Sequence, residues 1–260
     1  MKAYILSLFF WIYVLISCFF IFPFYFVFWL GSSPFDRQLR FAHCLTGCWA
    51  YSYIGINPWW HVSISGKERI DRKRTYIFIC NHQSLLDILL LFKLRRHFRW
   101  VAKTEIFRIP VAGWVMLMNN YLWVKRGDKQ SAAKMMQRAK KAILNGNSIM
   151  IFPEGTRTRD GNINLFKEGA FNIAIENKVN IIPIVIDGTF NALPKTGLVL
   201  KPNQMFTINV LDEIDITQYG KSDIEKLKRY SWELMSVNLQ KIRKEKLMVQ
   251  RDYNPSDIIR

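Results

Sequence analysis

Hydrophobic positions change their period twice along this chain. From Ala3 to Leu30 there is no charged residue, and Leu, Ile, Val, Phe, Tyr and Trp dominate, which is long enough for one bilayer crossing. This apolar run is too long for a cleaved signal peptide and lacks a small-x-small cleavage site before Gly31-Ser32-Ser33. Pro23 marks a place where such a helix can kink. From Phe35 to Trp60, Arg37, Arg40 and His43 alternate with Leu, Phe, Ala and aromatics, the loosely amphipathic pattern of a second helix. That helix is expected in the membrane interface, with Trp49, Trp59 and Trp60 at headgroup level. The first segment then either spans the bilayer or dips into one leaflet together with the second.

Beyond residue 60, short apolar runs alternate with longer amphipathic ones, the pattern of an α/β domain. Strands are predicted near residues 61–65, 75–80, 100–102, 121–124, 148–152, 181–186 and 206–211, and helices at 84–94, 131–144, 167–177 and about 222–248. There is no internal repeat, low-complexity run or further boundary, and about 200 residues suffice for one well-buried core. The expected organisation is a membrane-anchoring helical segment over 1–60 and one α/β domain over 61–260, with a central mixed sheet flanked by helices. The basic final helix is expected to pack on the sheet.

Composition sharpens this picture. Hydrophobic residues make up 50% of the chain, aromatics 15%, and the net charge is +17. Only +2 of that charge lies in residues 1–60, so the soluble-looking part carries +15. A basic body attracts anionic lipids, the phosphates of coenzyme A or an acidic carrier protein, and it favours the cytoplasmic side of a membrane. Nucleic acid would feel the same field, but no zinc spacing, basic zipper or RNA-binding aromatic signature accompanies the charge, so no nucleic-acid partner is expected. Cys18, Cys44, Cys48 and Cys80 are too few for a disulfide framework, and no His completes a metal site with Cys44 and Cys48. Cys80 reads as a small core residue. His43, His61 and His97 have no nearby acid and read as interfacial or surface residues.

The candidate chemistry begins where the second predicted strand ends, at Asn81-His82-Gln83-Ser84-Leu85-Leu86-Asp87. On a continuous helix, residues five apart differ by about 140° and cannot face each other, so His82 must precede the helix. Ser84 as N-cap and Asp87 at N3 supply that arrangement. Asp87 can then hold one imidazole nitrogen while the other takes a proton from a hydroxyl. The same residues also fit a plain capping-box acid and a turn histidine. A second segment, Phe152-Pro153-Glu154-Gly155-Thr156-Arg157, again follows a strand. Gly155 allows close backbone approach, Glu154 offers an acceptor to a substrate hydroxyl, and Arg157 and Arg126 offer planar forks for a phosphate. Lys103 adds positive charge near the headgroup or an oxyanion. Ser84 and Thr156 make poor nucleophiles: Ser84 is committed as a cap, and no Gly-x-Ser-x-Gly elbow is present.

These two segments resemble the best-known blocks of the glycerolipid acyltransferase family, whose bacterial members make phosphatidic acid from lysophosphatidic acid. Two weaker blocks match in order: Lys103-Thr104-Glu105-Ile106-Phe107 with Pro110, Gly113 and Tyr121 to Arg126, and Ile182-Pro183-Ile184-Val185-Ile186. The resemblance covers roughly residues 60–212. It implies a 1-acylglycerol-3-phosphate O-acyltransferase of phospholipid biosynthesis, bound to the bacterial inner membrane with its catalytic domain on the cytoplasmic side. His82 and Asp87 would be catalytic, and Lys103, Arg126, Glu154, Gly155, Thr156 and Arg157 would bind substrate. Acyl-CoA or acyl carrier protein would be the donor, lysophosphatidic acid the acceptor and anionic lipids the surroundings, with neither cofactor nor metal. Lys125 stands where many phosphatidic-acid-forming members carry aspartate, which leaves another lysophospholipid or an amino-acid lysolipid as the alternative acceptor. The alternative outside the enzymes is a catalytically silent membrane-anchored binding protein.

Overall fold

A computed structural model of the chain describes residues 2–252. Residues 1 and 253–260, the outer ends of the two expected regions, lie outside the described residues. In chain order the elements are α1 (Lys2–Ser32), α2 (Arg40–Gly55), β1 (Trp60–Ser65), β2 (Ile77–Cys80), α3 (Leu86–Leu91), β3 (Phe98–Lys103), α4 (Ala112–Met118) and β4 (Leu122–Val124). There follow α5 (Lys129–Leu144), β5 (Ser148–Ile151), α6 (Gly169–Asn177), β6 (Ile181–Asp187), α7 (Thr189–Ala192), β7 (Gln204–Val210) and α8 (Ile224–Asp252).

The seven strands form one mixed sheet in the order β1-β7-β6-β2-β5-β3-β4. Strands β6, β2, β5, β3 and β4 are mutually parallel, while β7 runs antiparallel to β6 and carries β1 parallel to itself. The central strands read as continuous apolar runs because both faces are covered, as parallel sheets require. In β2, Phe78 and Cys80 face one core with Trp100, Ile184 and Phe206, while Ile77 and Ile79 face the other with Phe171, Val185 and Leu227. Each fully buried aliphatic side chain contributes roughly 1.5–3 kcal/mol. The second core is closed by α5, α6 and α8, whose buried Leu227, Met235, Leu239 and Ile242 recur at helical spacing. Asp187 accepts from Arg243 Nε (3.1 Å) and Lys246 Nζ (2.7 Å), fixing α8 to the end of β6.

Three local features depart from expectation. The helix after His82 is regular only to Leu91 and tightens into a 3₁₀ turn over Phe92–Leu94, because Arg95 turns left-handed at φ 50°. Helix α4 has no cap signal in the sequence and starts after Val111 at φ 62°. Gly113 is required there, since a Cβ would lie 2.2 Å from the Phe107 carbonyl oxygen. Helix α1 runs unbroken through Pro23.

The aromatic belt and the reading of His43 and His97 need correction, while His61 is exposed as expected. Trp49 and Trp60 are buried, Trp60 donating to the Lys201 carbonyl, and only Trp59 is exposed. His43 is buried, paired through Nδ1 with Tyr121 Oη (2.8 Å) and through Nε2 with the Arg96 carbonyl (3.1 Å). Burial pushes its pKa down to about 3, and burial with the charge of Arg99 pushes His97 to about 4. Helix α2 packs onto the rest of the protein instead of standing apart, so its inward His43 and Trp49 become core residues, while Trp60, on β1, packs against Phe10 of α1 and Phe206 of β7.

Candidate active site

Strand β2 delivers the 81–87 segment to the carboxyl end of the sheet, where each side chain meets a different neighbour. Asn81 brackets β6, donating from Nδ2 to the Ile186 carbonyl and accepting from its N–H, both at 2.8 Å. Gln83 donates to the Gly161 carbonyl (3.2 Å). Ser84 Oγ accepts from Leu86 N (3.3 Å) and gives its hydrogen to the Leu193 carbonyl (2.6 Å), which leaves no free hydroxyl there. The segment is thus pinned before the helix begins, and His82 is its one polar member lining the cavity, beside the apolar Leu85.

His82 Nδ1 lies 2.8 Å from Asp87 Oδ2. The same oxygen accepts from the backbone N–H groups of Gln83 (2.6 Å) and Ser84 (2.8 Å), and Oδ1 accepts from the Thr189 hydroxyl (2.5 Å). Asp87 is therefore both helix-start acceptor and histidine partner, and the two alternatives offered by the sequence coexist. A fully buried carboxylate with four donors is well compensated. With a carboxylate at Nδ1, the neutral ring carries its hydrogen there and presents the Nε2 lone pair. The imidazole stacks on Phe152 (centroids 3.9 Å, 12°), which stacks on Trp100 (5.5 Å, 25°), so its plane is fixed as well as its tautomer.

Glu154 departs from the role expected of it. It does not line the cavity, and both its oxygens are taken: Oε1 accepts from His82 N (2.7 Å), and Oε2 from Asn164 N (2.8 Å) and Nδ2 (2.7 Å). The Thr158 N–H donates to the His82 carbonyl (2.8 Å), so the 153–158 segment grips the histidine backbone from both sides. Burial outweighs the three N–H donors and raises the Glu154 pKa to about 7.

Lys103, Arg126, Gly155, Thr156 and Arg157 line the same cavity as His82, a volume of about 1090 Å³. Gly155 adopts φ +67°, and the Lys167 side chain lies over it. Lys195, which no sequence pattern singles out, donates to Thr156 Oγ1 (3.1 Å) and the Arg157 carbonyl (3.0 Å). Desolvation and the charges of Arg159, Arg157, Arg126 and Lys103 lower its pKa. Such mutually repelling cations suit an anionic group held among them. Away from this rim the wall is apolar, from Leu85 and Ile88 past Val115 and Met116 to Trp49 and Tyr53 of α2. Among the described residues no three His, Cys, Asp or Glu side chains gather as a metal site.

Residues 61–187 match a family model described as Acyltransferase. A chloroplastic 1-acyl-sn-glycerol-3-phosphate acyltransferase of Arabidopsis thaliana is 37% identical over 163 residues, 62% of this chain and 45% of that one. The enzyme of that name from Haemophilus influenzae is 30% identical over 171 residues, 65% of this chain and 70% of its own length. The crystal structure of the 1-acyl-sn-glycerophosphate (LPA) acyltransferase from Thermotoga maritima superposes with a TM-score of 0.75 at 25% identity, covering 93% of this chain and 96% of that one. The chain spans about half the length of the plant relatives. With the fold, the His82–Asp87 geometry and these likenesses in agreement, the chain belongs to the acyltransferase family that includes the 1-acyl-sn-glycerol-3-phosphate acyltransferases.

Proposed function

We propose that the protein transfers an acyl group from an acyl thioester to the sn-2 hydroxyl of lysophosphatidic acid, giving phosphatidic acid. The observation that carries this is one cavity holding an oriented imidazole, a cationic rim and a long apolar wall. His82 Nε2 removes the hydroxyl proton as the oxygen attacks the thioester carbonyl. Collapse of the tetrahedral intermediate expels the thiolate, which takes the proton back from the imidazolium. Arg126, Arg157 and Lys195 hold the acceptor phosphate, Lys103 adds positive potential near the oxyanion, and the apolar wall takes acyl chain. Glu154 acts by fixing the His82 backbone. Either acyl-CoA or acyl carrier protein supplies the thioester, and the chemistry needs no cofactor.

The setting we propose is a membrane surface. Helix α1 exposes a broad apolar face that includes Phe9, Phe19, Phe20 and Phe24. Its other face is tied to the rest of the protein along its length. Ser7 Oγ accepts from Leu200 N, Trp11 donates to the Leu198 carbonyl, Tyr25 Oη accepts from Asn119 Nδ2, and Trp29 donates to the Met118 carbonyl. A helix held at both ends to one body supports immersion in a single leaflet over crossing the bilayer.

Thiol release from acyl-CoA by detergent-solubilised protein, with and without lysophosphatidic acid, tests the activity. Release that requires both the lipid and His82 is expected, with His82→Ala losing at least about a thousandfold. Release without lipid would make the protein a thioesterase, and lipid-dependent release that survives His82→Ala would remove the proposed base.

A further inference from the structure

The opposite end of the sheet carries a second concentration of positive charge that the acyl-transfer site does not use. Arg40, Arg72, Arg74, Arg95 and Arg96 converge with Tyr76, His97 and Ser148 on a cleft of about 180 Å³. Tyr76 and Ser148 stand at the amino ends of β2 and β5, whereas His82 follows the carboxyl end of β2. Six residue steps, running through β2, carry the chain from Tyr76 to His82, about 20 Å. Among the described residues, Asp71 is the only acid lining the cleft. Arg74 is neutralised by Glu213 (2.9 Å), but Arg40, Arg72, Arg95 and Arg96 enter no ion pair among the described residues. Arg96 Nε is buried with no hydrogen-bond partner, while its Nη2 donates to the Ile70 carbonyl (2.8 Å). Burial and the charge of Arg72 hold the Arg96 guanidinium below its usual range, and desolvation with the charges of Arg96, Arg95 and Arg72 does the same to Lys67.

Crowded, unpaired guanidinium groups around a polar cleft suit a multivalent oxyanion, and their planar forks suit phosphate. The rim of the cleft says where that phosphate comes from. Arg40 opens α2 and is followed by Phe41, 61% exposed, and the loop before it carries Phe35, 89% exposed. That loop is fastened beside the cleft by Gln38 Nε2, which donates to the Asn145 carbonyl (2.6 Å) next to the lining Gly146. Exposed aromatics that follow the exposed Val27 and Leu30 of α1 in the chain thus adjoin a cationic cleft. We propose that this cleft binds the headgroup phosphate of an anionic phospholipid whose acyl chains lie against Phe35 and Phe41, a lipid site separate from the acyl-transfer cavity.

Titration of detergent-solubilised full-length protein with dihexanoyl phosphatidylglycerol tests this. We compare wild type, Arg72→Gln/Arg95→Gln, and Lys134→Gln/Lys140→Gln, which removes the same charge from the exposed side of α5. The arginine pair should weaken binding at least about tenfold and the lysine pair leave it within about twofold, with acyl transfer unchanged in both. Dihexanoyl phosphatidylcholine should bind about tenfold more weakly than the glycerol lipid, since its choline brings a cation among cations. Equal losses in the two variants would reduce the effect to overall charge and overturn the site. Inorganic phosphate binding as tightly as the lipid would overturn the lipid assignment, as would unchanged lipid binding by the arginine pair.

Discussion

The cavity wall and the layer directly behind it divide the candidate site residues between them. On the wall stand His82, Lys103, Arg126, Thr156 and Arg157, open to whatever enters. Behind it, Asn81, Gln83, Ser84, Asp87 and Glu154 are buried, each spending its hydrogen-bonding capacity on the protein. Under the proposed function the wall meets substrate, and the hidden layer supports the segment that carries the His82 ring. His82 is constrained at its Nδ1, its ring face, its N–H and its carbonyl, which leaves Nε2 as the part available for chemistry. Preorganisation of this kind avoids an entropic cost when substrate arrives.

The division predicts that substitutions in the hidden layer lower turnover, while those on the cationic wall weaken acceptor binding. Asp87→Asn should have the largest effect of the hidden set, lowering kcat about a hundredfold or more with little change in KM. An amide in place of the carboxylate sets an N–H2 group against donors already present and lowers the melting temperature too. A kcat loss of only a fewfold would show that Asp87 serves the helix start and not the histidine. Arg157→Ala is the converse. Loss of one charge-assisted contact should raise KM for lysophosphatidic acid roughly 10- to 100-fold while kcat falls less. Steady-state kinetics over acceptor concentration separates the two, and a pure kcat effect would break the division.

The same division explains what was legible in the sequence. The central strands β2, β5 and β6 announce themselves as continuous apolar runs because the sheet is covered on both faces there, whereas β1 and β7 alternate apolar and polar residues because one of their faces is more open. The 81–87 spacing, with a cap residue between, shows that His82 and Asp87 meet ahead of a helix. Thr189, Asn164 and Lys195 were not legible, since Thr189 and Lys195 come from the connection between β6 and β7 and Asn164 from the stretch that follows the second motif segment, and nothing local marks any of them. Glu154 shows a subtler gap: the motif marks it for the site, but only the fold shows that it faces inward to the His82 N–H. The burial of His43 likewise depends on α2 lying against the domain, and that of Trp60 on Phe10 of α1 and Phe206 of β7 packing against it, which the local pattern does not record.

Glu154 offers a smaller effect with a definite pH signature. Its pKa is about 7 in the folded protein against an ordinary 4.5, so the folded state binds the proton more tightly than the unfolded one. Its contribution to stability is then fully present below pH 4.5, declines between 4.5 and about 7, and is gone above. The amplitude is on the order of 3 kcal/mol. Melting temperatures of wild type and Glu154→Gln across this window should diverge, the wild type losing stability with rising pH more steeply. Parallel curves would mean that the N–H groups of His82 and Asn164 outweigh burial after all.

Thr189 makes the smallest predicted change and the most discriminating one. Its hydroxyl donates to Asp87 Oδ1 at 2.5 Å, the only donor that oxygen has among the described residues, and it lies a second link away from substrate. Thr189→Val keeps the shape and removes the donor, leaving half of a fully buried carboxylate without a partner. Such a loss costs about 1–3 kcal/mol, most of it in stability, because the other three donors still fix Oδ2 against the ring. Turnover should therefore fall only a fewfold, KM should stay constant, and Thr189→Ser, which restores the donor, should recover both kcat and melting temperature. If kcat fell as far as in Asp87→Asn, orientation of the imidazole would depend on Oδ1 as much as on Oδ2, and the hidden layer would act as one unit instead of a set of separable supports.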